Sequence, residues 1–317
     1  MKSCLKRRGF LTATAGAVLT SCAKAPSPFQ GNSAVSVLKA AHYEIDLVEK
    51  IRQGVTMSGL QVKGRRVVLK PNLVEFHSEV PVNTDQRVVG AALEVFRSLG
   101  AASVLIAEGP GHRRDTLGLA EEAGYRAVIS GFEDIFVDLN RDDVSRVHHF
   151  AREKEFYLPN TALGADLLVS IPKLKTHHWA GATLSMKNFF GLVPGALYGW
   201  PKNTLHYIGI PQAIVALNRQ FRNTFAIVDG IVGMEGNGPI QGTAKPAGVL
   251  VFGQDLVAVD ATCCRIMGID PAKLEYLQLA ADLGAVPSGQ ISQRGENPGE
   301  LRTDFQLIKE FSSVRLI

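Results

Sequence analysis

Lys173, Lys175 and His177 crowd into one short stretch, Pro172-Lys173-Leu174-Lys175-Thr176-His177, directly after an apolar run. Two ammonium groups and an imidazole suit an anionic substrate, carboxylate or phosphate, and His177 has the ordinary pKa for proton exchange near neutrality. The competing reading is a solvated loop of basic side chains. Lys187 and Asn188 lie ten residues further on, inside the apolar segment SMKNFFGLV. A lysine among Met, Phe and Leu needs a carboxylate or a ligand if it is buried, and a purely structural ion pair is the rival explanation. Lys70 and Asn72 flank Pro71, which stiffens a strand exit where Asn72 either binds a ligand or caps a turn. Asp229, Glu235 and Asn237 fall in a glycine-studded stretch ending at Pro239. They are expected to pair with the lysines, act as a base, hold a hard divalent cation, or merely shape local turns.

Put together, the expectation is a site in which Lys175, His177 and Asp229 do the chemistry. Lys70, Asn72, Lys173, Lys187, Asn188, Glu235 and Asn237 then bind the substrate, with Asp229 or Glu235 as the partner carboxylate of His177. Several other chemistries have no support. The stretch Glu108-Gly-Pro-Gly-His112 lacks the spacing of a dinucleotide fingerprint or a P-loop, although its backbone amides suit a ligand-facing turn. There is no HExxH, CxxC or EF-hand pattern. Cys263 and Cys264 sit in the helical apolar run ATCCRIMG and read as small buried hydrophobes; two thiols do not make a four-thiolate iron–sulfur site. The cofactor is left unknown, with a divalent metal open. Asp260, near a helix start, reads as structural.

These residues need elements to hold them. Short apolar runs, Val67–Leu69, Ser103–Ala107, Asp166–Ile171, Phe225–Val228 and Val249–Phe252, read as strands buried on both faces, as in parallel sheets. Amphipathic stretches between them, Asp46–Val55, Asp85–Leu99, Leu117–Ala123, Pro211–Phe221, Ala258–Met267 and Pro271–Leu283, read as helices. The fold class is therefore α/β: an open, mostly parallel sheet with helices on both faces, Rossmann-like but without a dinucleotide fingerprint. Ligands in such sheets bind beyond the carboxyl ends of the strands, where the polar residues above are concentrated.

The N-terminus carries an address. Lys2, Lys6, Arg7 and Arg8 precede a short apolar run, Phe10 to Leu19, too short to span a bilayer. The patch resembles a twin-arginine export signal, although Lys6 and Thr12 depart from its usual pattern. The run ends in Leu19-Thr20-Ser21-Cys22, which resembles a lipobox and predicts a membrane anchor through lipid on Cys22. Residues 1–21 are thus the signal read by the export machinery, 23–33 a flexible tether, and 34–317 one domain. Those first 21 residues hold four basic and no acidic side chains, so +4 less 4 leaves no net charge on the rest and gives no sign of nucleic acid binding.

The segments VVLKPN, SIPKLKTH, TLSMKNFFGLVPG, DGIVGMEGNGP and GQDLVAVDATCCRIMG, in this order from about Val67 to Met267, resemble the family called domain of unknown function 362. Many members carry an added ferredoxin-like segment with clustered cysteines, which this sequence lacks. The combined expectation is an extracytoplasmic lipoprotein enzyme doing acid–base chemistry on a small anionic molecule. The alternatives are a non-catalytic anion-binding lipoprotein and a redox accessory protein using a borrowed cofactor.

Overall fold

Val67, Val68 and Leu69 alternate between two separate apolar cores, one on each side of the strand that carries them. Leu167, Leu168 and Val169 do the same, as do Phe225, Ala226 and Ile227. A strand whose neighbouring side chains point to opposite faces and are all buried must have a covering layer on each side. The computed structural model, which describes Gly31 and residues 33–317, has that arrangement. The helices Leu47–Met57 and Gln86–Ser98 cover one face through Ile51, Val55, Val88, Val89 and Phe96. The helices Ile210–Asn218 and Leu256–Ile266 cover the other through Ile214, Leu217, Val259 and Ile266, and Cys263 and Cys264 are buried there. The expected export signal, Cys22 and most of the expected tether lie outside the described residues.

In chain order the strands are β1 (Ser33–Lys39), β2 (Arg66–Pro71), β3 (Ser103–Glu108), β4 (Phe136–Asp138), β5 (Val144–Val147), β6 (Phe156–Pro159), β7 (Leu167–Ile171), β8 (Lys173–His177), β9 (Gly181–Thr183), β10 (Thr224–Asn237), β11 (Gln241–Gly253) and β12 (Ile291–Gly295). The main sheet runs β12-β1-β11-β10-β7-β2-β3-β4, with β8 paired to β10 and β9, while β5 and β6 form a separate hairpin. Strands β10, β7, β2, β3 and β4 are mutually parallel, so β2, β3 and β7 end at one edge. The sheet is open and mostly parallel with helices on both faces, as the apolar runs predict. One expected direction is wrong. β11, which holds Val249–Phe252, is antiparallel to β10, because the two form a long hairpin turning between Asn237 and Gln241.

Other boundaries differ for local reasons. Ser33 belongs to β1 rather than to a tether, and its hydroxyl donates to Asp255. The stretch Pro172–His177, expected as a ligand-facing loop after a strand, is mostly the buried strand β8, which also rules out the competing solvated loop. Asp229, Glu235 and Asn237 sit in β10 rather than in a loop. The expected helix Pro271–Leu283 is broken into a 3-10 turn, Pro271–Lys273, and the helix Glu275–Leu279. The expected helix start at Asp85 has a clear cap, Asp85 accepting from Arg87 N at 2.9 Å. The helix expected from Ala258 begins two residues earlier, capped by Asp255, which accepts from Val257 N at 2.9 Å and Ala258 N at 3.0 Å, so Asp260 lies inside it.

Candidate functional site

β8 brings Lys173, Lys175 and His177 onto one strand face, all three buried. They do not share one environment. Lys173 Nζ donates to Asp229 Oδ2 at 2.6 Å and to the Tyr43 hydroxyl at 2.9 Å. Asp229 also accepts from Tyr43 Oη at 3.0 Å and from Asp85 N at 3.0 Å. This is a closed, fully buried ion pair with its remaining lone pairs satisfied, and burial beside Asp229 drives the Tyr43 hydroxyl far above its ordinary pKa. Past it, β10 bulges: while β10 advances from Asp229 to Met234, β8 advances only from Lys173 to Lys175. Lys175 therefore has a thioether beside it and no carboxylate. Its Nζ donates to the carbonyls of Val82 at 2.8 Å and Pro239 at 3.3 Å.

Lys175 and His177 open onto a cavity of about 400 Å³, large enough for a small molecule. Its ionisable lining groups are almost all basic. Lys70, Lys175, Lys187 and Lys202 contribute amines, and His112, His177, His178 and His206 contribute imidazoles. Glu108 is the one carboxylate among the lining residues, and Lys70 takes it up at 2.7 Å. The floor around that pair is saturated. Glu108 also accepts from Leu73 N at 3.2 Å and Gly109 N at 2.8 Å, while Asn188 reaches Lys70 O at 3.0 Å and Ser170 Oγ at 3.1 Å. Gly191 packs directly on this pair, and a Cβ there would collide with Glu108 and Lys70.

The other amines form no ion pair among the described residues. Burial, aggravated by the charges of Lys187 and Lys173, pushes the Lys175 amine well below its ordinary pKa. Desolvation takes the half-buried Lys187 down to about 7. Its Nζ sits 4.2 Å from the centre of the Phe190 ring and has no hydrogen-bond acceptor among the described residues. Lys202 is likewise taken down to about 7, chiefly by burial. It is a non-glycine residue at φ +66°, and it reaches the carbonyls of Gly109 and Gly191. Backbone held there costs on the order of 1–3 kcal/mol, so the surrounding structure is holding this amine in place. Asn72 Oδ1 and Thr183 Oγ1, also on the wall, are buried without a hydrogen-bond partner among the described residues. Buried polar atoms of that kind are rare unless a ligand or water completes them.

Hydrogen bonding fixes the imidazoles. His177 Nδ1 accepts from Trp179 N at 2.9 Å and Ala180 N at 3.2 Å, so in the neutral ring the proton is on Nε2. Burial, followed by repulsion from Lys187, holds His177 well below its ordinary pKa. His177 is therefore a fixed hydrogen-bond donor rather than the proton carrier expected from its position. His178 is the complement: its Nδ1 lies 2.7 Å from Gly238 O, which can only accept, so the proton is on Nδ1 and the Nε2 lone pair is free. Asp260 positions Lys187 and Asn188 from behind. Its carboxylate accepts from Ser185 N at 2.8 Å, Met186 N at 3.2 Å and Tyr276 Oη at 3.2 Å, anchoring the turn before the 3-10 helix Lys187–Leu192. Burial raises its pKa to about 7.

Of the residues expected at the site, Lys70, Asn72, Lys175, His177, Lys187, Asn188 and Asn237 line the cavity. Lys173 and Asp229 do not, because they neutralise each other in a separate chamber. Glu235 does not, because it turns to Lys245 at 3.5 Å and Gln306 N at 2.8 Å. Sequence reasoning missed Lys202 and His206, which carry no local signal, and Glu108, which was read only for its neighbouring backbone. The divalent cation weighed for Asp229, Glu235 and Asn237 finds no cluster of three His, Cys, Asp or Glu arranged to hold it among the described residues.

A family model described as Domain of unknown function (DUF362) matches residues 67–265. The thylakoid-associated protein sll1697 of Synechocystis sp. is 27% identical over 285 residues, covering 85% of this chain and 86% of the relative. The lactate racemase apoprotein of Thermoanaerobacterium thermosaccharolyticum superposes with a TM-score of 0.48 at 14% identity, over 76% of this chain and 58% of that chain's length. No helix among the described residues is long and apolar enough to cross a membrane.

Proposed function

Starting from the premise that this chain belongs to the domain of unknown function 362 family, we propose that its basic cavity binds a small anionic molecule, a carboxylate or a phosphate, and carries out acid–base chemistry on it. The observation that carries this reading is the missing counter-charge: Lys175, Lys187 and Lys202 line one cavity whose single lining carboxylate is already bonded to Lys70. Amines withdrawn from water without an acidic partner, fully for Lys175 and Lys202 and partly for Lys187, are held at a cost that an anionic ligand relieves. In this reading Lys175 and Lys202 neutralise the ligand. The Nε2–H of His177 and the amide of Asn72 orient it, and the free lone pair of His178 takes a proton from it. The cavity, rather than the chamber of Lys173 and Asp229, is where the chemistry happens.

The same proposal holds that the chain is exported and anchored through lipid on Cys22. Its support is the basic patch, the short apolar run and Leu19-Thr20-Ser21-Cys22, together with a relative named for its association with thylakoids. Mass spectrometry of the N-terminal peptide from the membrane fraction should find the chain beginning at a lipid-modified Cys22; an intact, unmodified Met1–Cys22 segment would refute the anchor.

Native mass spectrometry of gently purified protein tests the ligand class. An acidic small molecule bound at one per chain is expected, and a neutral or cationic occupant of the cavity would overturn the reading. The two tryptophans give a second measurement: Trp179 lines the cavity, so its fluorescence should respond saturably to acetate or inorganic phosphate.

A further inference from the structure

Lys187 differs from the other two amines of the anion site in what holds it. Lys175 and Lys202 each donate to two backbone carbonyls, whereas Lys187 has no acceptor among the described residues and lies against the Phe190 ring. The charged and titratable groups that bear on it or crowd it are Lys175, His177 and His206, all basic. No carboxylate within ion-pair distance of it is found among the described residues. These surroundings bring its pKa down to about 7, so a large share of Lys187 is the free amine near neutral pH. What it offers is a nucleophilic lone pair, held at the base of a short 3-10 helix whose approach turn Asp260 fixes.

We propose that Lys187 forms an imine with its ligand, so that the substrate of the cavity is an anion that also carries an aldehyde or ketone carbonyl. This rests on the anion-binding reading above and adds the electrophile to it. The Nζ lone pair attacks the carbonyl carbon and forms the N–C bond, and the C=O π pair moves to oxygen, which takes up a proton. The resulting carbinolamine loses its hydroxyl as water while nitrogen gives up its remaining protons as needed for C=N. Amine plus carbonyl gives imine plus water, with no change of oxidation state. The fixed Nε2–H of His177 is a hydrogen-bond donor suited to the carbonyl oxygen, and exposed His206 at the rim connects the cavity to solvent protons.

The test uses the full chain with glyoxylate and borohydride, the adduct being mapped by proteolysis and mass spectrometry. One carboxymethyl group on Lys187 is expected, far ahead of surface lysines. Glycolate, which has the same carboxylate without the carbonyl, should suppress the adduct by competition. Lys187→Arg should lose the adduct while the tryptophan response to glycolate persists. Because the mapping is done on the unmodified sequence, it stands even if that variant folds poorly. A saturable tryptophan response to glyoxylate without an adduct at Lys187 overturns the imine and leaves the anion-binding reading intact. Labelling at Lys175 or Lys202 instead, or spread evenly over exposed lysines, also overturns it. No response to either anion and no adduct removes both readings together.

Discussion

Lys173 and Lys175 are two residues apart on one strand, equally buried, yet they live in opposite electrostatic worlds. Lys173 meets Asp229 at 2.6 Å in a closed chamber that also engages Tyr43 and the backbone of Asp85. Lys175 meets only two carbonyls and opens onto a cavity with no free carboxylate. The bulge of β10 between Asp229 and Met234 makes the difference, since it sets an acid opposite the first lysine and a thioether opposite the second. A satisfied pair belongs to the architecture; an unsatisfied one marks where something else is meant to arrive. This contrast yields measurable consequences, because each chamber fails differently when perturbed.

The largest effect belongs to the closed chamber. Asp229→Ala leaves Lys173 buried and unpaired, which should cost about 3–5 kcal/mol in denaturant unfolding. The loss should appear in stability, without a separate loss of anion affinity in whatever fraction remains folded. A destabilisation below about 1 kcal/mol would mean that the chamber is wetter than its geometry indicates.

Next in size is the pH dependence of the open cavity. In the empty protein Lys187 and Lys202 have pKa values of about 7, and a bound anion favours their charged forms. The complex therefore holds more protons than the free protein, and affinity for a simple anion such as acetate should fall as pH rises above 7. The limit is about tenfold per pH unit for each amine that must take up a proton. Stability of the empty protein should move the other way. The same lysines in the unfolded chain keep an ordinary pKa of 10.5, so between about 7 and that value the unfolded state binds more protons. Stability then rises with pH in this window. Asp260, raised to about 7, acts only below it and in the opposite sense. Affinity that is flat from pH 7 to 9 would place the anion away from both amines.

Lys175→Met should separate the chambers most directly. It removes a buried amine with no acid partner, so stability should be unchanged or higher, while anion affinity drops on the order of tenfold, about 1.4 kcal/mol. Loss of stability comparable to that of Asp229→Ala would assign Lys175 to architecture as well.

How much of this contrast was legible beforehand follows from what side chains encode. The two-sided burial of Val67–Leu69, Leu167–Val169 and Phe225–Val228 announced a covered sheet, and its strand ends led to Lys70, Asn72, Lys175 and His177. The register did not announce itself. KLKTH was read as a loop because its charges outweighed its alternation, the two lysines on one face and Leu174 on the other, which is the period of a strand. The direction of β11 was equally hidden, although the short link from Asn237 to Gln241 is of hairpin length. Lys202 had no local signature, since what makes it notable is a left-handed backbone and two carbonyls contributed by distant segments. Which histidine keeps a free lone pair depends on backbone partners at 179, 180 and 238, so His177 and His178 were indistinguishable in type alone.

Glu235 provides the smallest effect and the sharpest control. Its residue type and its neighbours Gly236 and Asn237 placed it with the site, and Asn237 does reach the cavity wall. The side chain itself turns to Lys245 at 3.5 Å and to Gln306 N at 2.8 Å, at a partly solvated edge of the β10–β11 hairpin. Pairs in that setting contribute about 0–1 kcal/mol, because water competes for both ions and both side chains lose freedom. Glu235→Gln keeps an acceptor for the Gln306 amide and removes only the charge. Stability should therefore shift by under about 1 kcal/mol, and acetate affinity at fixed pH should stay within about twofold, which is some 0.4 kcal/mol. A large gain in affinity would mean that the Glu235 charge is felt inside the cavity. The missing counter-charge would then be supplied by the protein itself, and the distinction between the two lysines would lose its meaning.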